Sequence, residues 1–220
     1  MPSAQGKIVL PYDEARKHIL DGDVLLYSSR GVVSELIKIG TLSPYSHAGL
    51  AGWTNGSPTS EHSRLMAYEM LWHGGAGSTL ASHVDKWPGR IDVYRVSDTH
   101  TVFEWDALLK IQSGRTRVFD RKAAVAAMRD FCRPGEYGMM HLFWTALTRL
   151  PGVRIFKRPP TNDQLEDRSR PPYCSEAVAC ALRAAFTDVV KNMPDHYTAP
   201  GALARSPLLH YMFTLQNDGP

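Results

Sequence analysis

Two short motifs stand in a fixed order along this chain: Ser46-His47-Ala48-Gly49 comes early and Tyr173-Cys174-Ser175-Glu176 comes late. The first places a histidine at the mouth of a short apolar run, His47 to Trp53. The second places a cysteine at the start of a segment with helical spacing. That segment runs from Ser175 to about Phe186, with an apolar stripe of Ala177, Val178, Ala181, Leu182 and Ala185. Free N–H groups and the dipole at a helix N-terminus favour a thiolate. A histidine brought beside that thiolate completes an activated nucleophile. Any fold that pairs the two must set the early strand against the late helix.

Composition fits one enzyme-sized domain. The chain has 220 residues, 43% hydrophobic and 21% charged, enough for a sizeable core without staples. Residues 1–220 are therefore read as a single domain. The net charge of +3 is mild, and no basic run is dense enough to make nucleic acid the main partner. Cys132, Cys174 and Cys180 are few and irregularly spaced, against a disulfide framework or a zinc site and for a reducing compartment. Tyr12, Asp13, Glu14, Arg16, Lys17 and His18 stand where a signal peptide would need an apolar core, and no window has the apolar length of a membrane span. The expected location is cytoplasmic.

The first half reads as strands and the second as helices. Asp13 to Leu20 has the look of a short helix, punctuated by Gly22-Asp23 before a strand from Val24 to Ser28. Ser34 to Gly40 has helical spacing, and Pro44 ends it. His47–Trp53, Leu65–Trp72 and Ile91–Val96 then read as strands of an antiparallel meander. The cluster Gly74-Gly75-Ala76-Gly77 reads as a loop, since no convincing helix follows it to make a phosphate cradle. Phe103 to Ile111 and Ala123 to Cys132 look helical, the latter with Asp120 as N-cap and Pro134-Gly135 as stop. Met139 to Leu150 is apolar nearly all round, as a buried helix would be.

Strand alternation then selects a third residue. His47, Gly49 and Ala51 share one face of their strand; Leu65, Ala67, Glu69 and Leu71 share one face of the next. A carboxylate inside an apolar run is costly unless something pairs with it. On neighbouring strands Glu69 can reach the His47 imidazole, fix its tautomer and stabilise its cation. Taken singly, a cysteine near a helix start is more often a small core residue, and Cys132 and Cys180 are read that way. His62, His73 and His83 fall in loops without metal-ligand spacing. Between Pro151 and Pro172 lie Arg154, Lys157, Arg158, Arg168 and Arg170 among acidic residues, a segment expected to border the cleft and favour negatively charged substrate groups.

Several blocks in order resemble a known family. They are Gly22-Asp23-Val24-Leu25-Leu26, Tyr45-Ser46-His47-Ala48-Gly49-Leu50, Tyr68-Glu69-Met70, Val93-Tyr94-Arg95-Val96, Gly135-Glu136-Tyr137-Gly138, Tyr173-Cys174-Ser175-Glu176, and the tail from Thr198 to Pro207. The set is similar to the circularly permuted papain-like cysteine hydrolases, the YiiX-like branch of the NlpC-type superfamily, and more distantly to lecithin retinol acyltransferase. The ordered blocks span about 22 to 208, read as the core of the domain, and the stretch 151–172 matches nothing in the family. In papain the cysteine precedes the histidine, so the reversed order here implies a permuted α+β papain-like fold with an antiparallel sheet packed against helices. The resemblance implies Cys174 as nucleophile, His47 as base and Glu69 as the orienting group. It implies no cofactor and an acyl-amide, peptide or lipid substrate, hydrolysed in some relatives and used for acyl transfer in others. A binding module that keeps the cleft without turnover is the other reading.

Overall fold

Val24, Leu25, Leu26 and Tyr27 are buried without a break, which an antiparallel strand shows only when its sheet is covered on both faces. They belong to β2 (Val24–Ser29), a middle strand of a seven-stranded sheet in a computed structural model that describes residues 7–56, 58, 62–71, 73–106, 111–132, 172–190, 195 and 198–216. The other strands are β1 (Val9–Leu10), β3 (His47–Trp53), β4 (Leu65–Leu71), β5 (Gly74–Thr79), β6 (Gly89–Val96) and β9 (Leu209–Leu215). Their order is β1-β9-β6-β2-β3-β4-β5, antiparallel throughout except for the parallel β1–β9 pair. β7 (Thr99–Asp106) and β8 (Ile111–Val118) form a separate antiparallel pair.

Even-numbered positions of β2, β3 and β4 face one layer. Val24, Leu26, Ala48, Leu50, Tyr68 and Met70 pack with α4 (Arg121–Phe131) and α5 (Cys174–Ala184). Odd-numbered positions face another. Leu25, Tyr27, Ala51 and Ala67 pack with Ala15 of α1 (Tyr12–Ala15) and with Leu80 and Val84 of α3 (Leu80–Lys86). Among the described residues the remaining α-helices are α2 (Val32–Thr41) and the short α6 (Pro200–Ala204). The observed class is α+β, a multi-stranded sheet between helices.

Asp120 caps α4, accepting the Ala123 N–H at 3.0 Å, as its place before an apolar helical pattern predicts. The start of β3 is pinned from three sides. The Ser46 N–H bonds the Tyr27 carbonyl at 2.9 Å, the Ser46 and Ser29 hydroxyls lie 3.1 Å apart, and the Tyr45 hydroxyl donates to Asp92 at 2.6 Å. Asp92, fully buried in β6, also receives Thr214 of β9 at 2.6 Å and Lys7 at 2.9 Å. This network fixes where His47 begins its strand.

Three expectations are corrected. In the segment 103–111, expected as a helix, Phe103–Asp106 close β7 and Ile111 opens β8, paired as an antiparallel ladder, while 107–110 lie outside the described residues. The glycine cluster is a strand, not a loop, and α3 follows it directly. A Cβ on Gly75 would lie 2.2 Å from the Phe131 carbonyl oxygen, so the glycine is there to let the end of α4 approach the strand. The sheet is a meander only from β2 to β5. β6 returns to the other side of β2, and the C-terminal β9 extends the sheet beyond it. The expected helix 139–150, its neighbour Pro134-Gly135 and the charged segment 151–171 lie outside the described residues. Among the described residues no helix is long and apolar enough to cross a membrane.

Candidate functional site

The register of β3 and β4 builds the site from the backbone outward. Gly49 stands opposite Glu69, which puts the carboxylate on the face shared by Gly49 and His47. A Cβ on Gly49 would lie 2.8 Å from Glu69 Cγ and 3.1 Å from its Oε1, so the missing side chain makes room for the carboxylate to lean toward His47. Glu69 is only 1% exposed. Its Oε1 lies 3.6 Å from His47 Nε2, and its Oε2 lies 3.0 Å from Nε2 of a second histidine, His83 of α3. Neither carboxylate oxygen sits on the axis of a donor, so these are ion-pair contacts more than straight hydrogen bonds.

Aromatic rings enclose the group. Tyr27, opposite His47 on β2, has its ring 5.2 Å from the His47 ring, and Trp87 stacks on His47 at 5.9 Å and 27°. Burial and the nearby Glu69 charge push the Tyr27 hydroxyl far up, so it stays protonated beside the carboxylate. Burial alone would raise the Glu69 carboxyl, but the two imidazoles outweigh it and hold the acid well below the usual carboxylate range.

Cys174 opens α5. Glu176 accepts the Tyr173 N–H at 3.2 Å, and the Ser175 hydroxyl donates to the Thr198 carbonyl at 2.6 Å, which seats the helix start against the segment leading into α6. Cys174 is fully buried and clusters with Ala48 and Leu50, residues of β3 that alternate away from His47. His47 nonetheless hydrogen-bonds it from the first position of β3. Burial lowers the affinity of the His47 ring for its proton. The Cys174 charge and hydrogen bond, followed by Glu69, outweigh burial and push its pKa up to about 10. The structure thus brings Cys174, His47 and Glu69 together.

The other thiols differ. Cys132 and Cys180 were expected to be the buried ones, yet both are partly exposed while Cys174 is the fully buried one. Burial still dominates their chemistry, raising Cys132 to about 11 and Cys180, beside Asp195, to about 12. None of the three is disulfide-bonded. His83, read from the sequence as a loop residue, is helical and touches Glu69; Tyr27, Ser78 and Trp87 were also missed. The local signal for His83 is slight: Leu80 and Val84, four apart, are the apolar anchors of its helix.

No family model matches the chain, and no curated protein matches it. Among solved structures it is similar to the crystal structure of metalloprotein YiiX from Escherichia coli O157:H7. The identity is 17%, the match covers 91% of this chain and 98% of that one, and the TM-score is 0.47.

Proposed function

We propose that this protein is a cysteine hydrolase of permuted papain-like type that cleaves an amide or ester bond through a thioester on Cys174. The observation that carries the reading is the hydrogen-bonded Cys174–His47 pair with ionised Glu69 behind the imidazole. His47 Nε2 faces Glu69, which leaves Nδ1 to exchange a proton with the sulfur. As the Cys174 thiolate attacks the acyl carbonyl, the carbonyl oxygen becomes an oxyanion within reach of the Cys174 backbone N–H at the helix start. The His47 imidazolium protonates the leaving amine or alcohol as the C–N or C–O bond breaks. Neutral His47 then takes a proton from water, whose oxygen attacks the thioester, and the acid departs as the thiol reforms. Glu69 keeps the ring oriented through both proton transfers.

Turnover of a panel of acyl-amide, peptide and phospholipid ester substrates tests this reading. At least one is expected to be hydrolysed, with kcat/KM lower by about 10³-fold or more in Cys174→Ala. No turnover of any class, or turnover retained without the thiol, would contradict it. The full burial of Cys174 favours a second reading, a binding module with no covalent chemistry. The same panel separates the two, since a binder would retain an acyl ligand unchanged.

A further inference from the structure

We propose that His83 is a positioning residue: paired with the second oxygen of Glu69, it fixes the carboxylate that faces His47 and so sets how tightly His47 holds its proton. This rests on the reading of Glu69 as the group behind His47. The geometry is a carboxylate bridging two imidazoles, 3.6 Å to His47 Nε2 and 3.0 Å to His83 Nε2, in a pocket where Glu69 is almost inaccessible. A buried carboxylate with one partner would turn away or take up a proton; a second partner on the other oxygen prevents both.

His83 is built to hold its position. Leu80 and Val84 anchor its helix in the core, and its ring lies edge-on to Tyr27 at 6.1 Å and to Trp87 at 6.0 Å. Its Nε2 is also 2.6 Å from the Ser78 hydroxyl oxygen of β5. A lone pair on that nitrogen would repel the carboxylate, so Nε2 carries the proton and serves both oxygens. Ser78 and Glu69 share one ring nitrogen. In a serine triad the acid and the nucleophile use opposite nitrogens, so Ser78 is not a second nucleophile.

Titratable and polar groups from several packed elements face Glu69 or its two imidazoles. His47 on β3 and the Tyr27 hydroxyl on β2 face the carboxylate itself, Ser78 on β5 touches His83, Cys174 on α5 touches His47, and Cys132 at the end of α4 lies with its sulfur 3.8 Å from the Glu69 backbone carbonyl. Asp85 and Lys86 on α3 itself are exposed. The charge on Glu69 favours the His47 cation. If the His83 donor is lost, Oε2 loses that hold, the carboxylate turns from His47, and the imidazole holds its proton less tightly.

The test is an NMR titration of the His47 ring in a Cys174→Ala background, where the sulfur charge is gone. His83→Phe, which keeps a ring and removes the donor, is expected to lower the His47 midpoint by on the order of one pH unit, tenfold in proton affinity. His83→Gln, which keeps an N–H donor, is expected to recover most of that shift. With Glu69→Gln also present, His83→Phe is expected to move the midpoint no further. A midpoint unmoved by His83→Phe, or moved equally with and without the Glu69 carboxylate, overturns the proposal. A nitrogen-15 measurement on the otherwise unaltered protein needs no folded variant: His83 is expected to carry its proton on Nε2, and a proton on Nδ1 alone overturns the proposal. These readouts follow proton binding and not turnover. A protein that hydrolyses nothing yet shows the expected shifts would overturn the enzymatic reading alone.

Discussion

At Glu69 the chain places a charge where water cannot solvate it, and the fold answers with two imidazoles and a phenol. The consequence reaches His47. Its cation is disfavoured by burial, yet the Cys174 anion is the largest opposing effect and Glu69 adds to it, so the proton stays on the ring up to about pH 10. Cys174→Ala removes the larger of these supports. In an NMR titration the midpoint of His47 is expected to fall from about 10 by on the order of one unit or more, with the Glu69 contribution remaining. A midpoint that does not move would mean that sulfur and imidazole are not coupled. His47 and Glu69 were legible from the sequence because strand alternation and a carboxylate in an apolar run are local patterns. His83 was not, since its role depends on which oxygen of Glu69 remains open once β3, β4 and α3 are packed.

Among the elements, those with a regular apolar period were read well. The sequence ranges for β2, β3, α2 and α4 fall within a residue or two of the observed bounds, and Asp120 caps α4 as expected. The misread ones lack such a period. β5 is glycine-rich because Gly75 and Gly77 must clear the α4 terminus and the Tyr68 ring, which is information held by the neighbours and not by the strand. β9 is recognisable only once β6 offers it an edge. The same close-approach logic makes Gly49 a sensitive position on β3. Gly49→Ala would force the Glu69 carboxylate from its place, because the new methyl falls within 2.8 Å of Glu69 Cγ. A loss of about 1–3 kcal/mol in denaturant unfolding is expected, together with a lower His47 titration midpoint. An unchanged midpoint would show that the carboxylate does not depend on that space.

For the whole molecule, the central fact is that a residue opening β3 and a residue opening α5 meet although most of the chain lies between them. α5 packs on one face of the sheet and Glu69 projects from the other, and they are linked through His47 at the start of β3. Alternation within single strands names the candidates but cannot place a helix relative to a strand end. The pairing, and any special reactivity of Cys174, is therefore a property of the folded state. Alkylation at pH 7 with a small thiol-directed electrophile, followed by peptide mapping, measures this directly. In the folded protein Cys174 is expected to react first, because Cys132 and Cys180, raised to about 11 and about 12, remain protonated. In denaturing urea the three thiols are expected to react alike, and His47→Ala is expected to slow Cys174 by tenfold or more, on the order expected for loss of a charge partner. Modification of Cys132 or Cys180 first, or a Cys174 rate indifferent to His47, would contradict the assignment of Cys174 as the nucleophile.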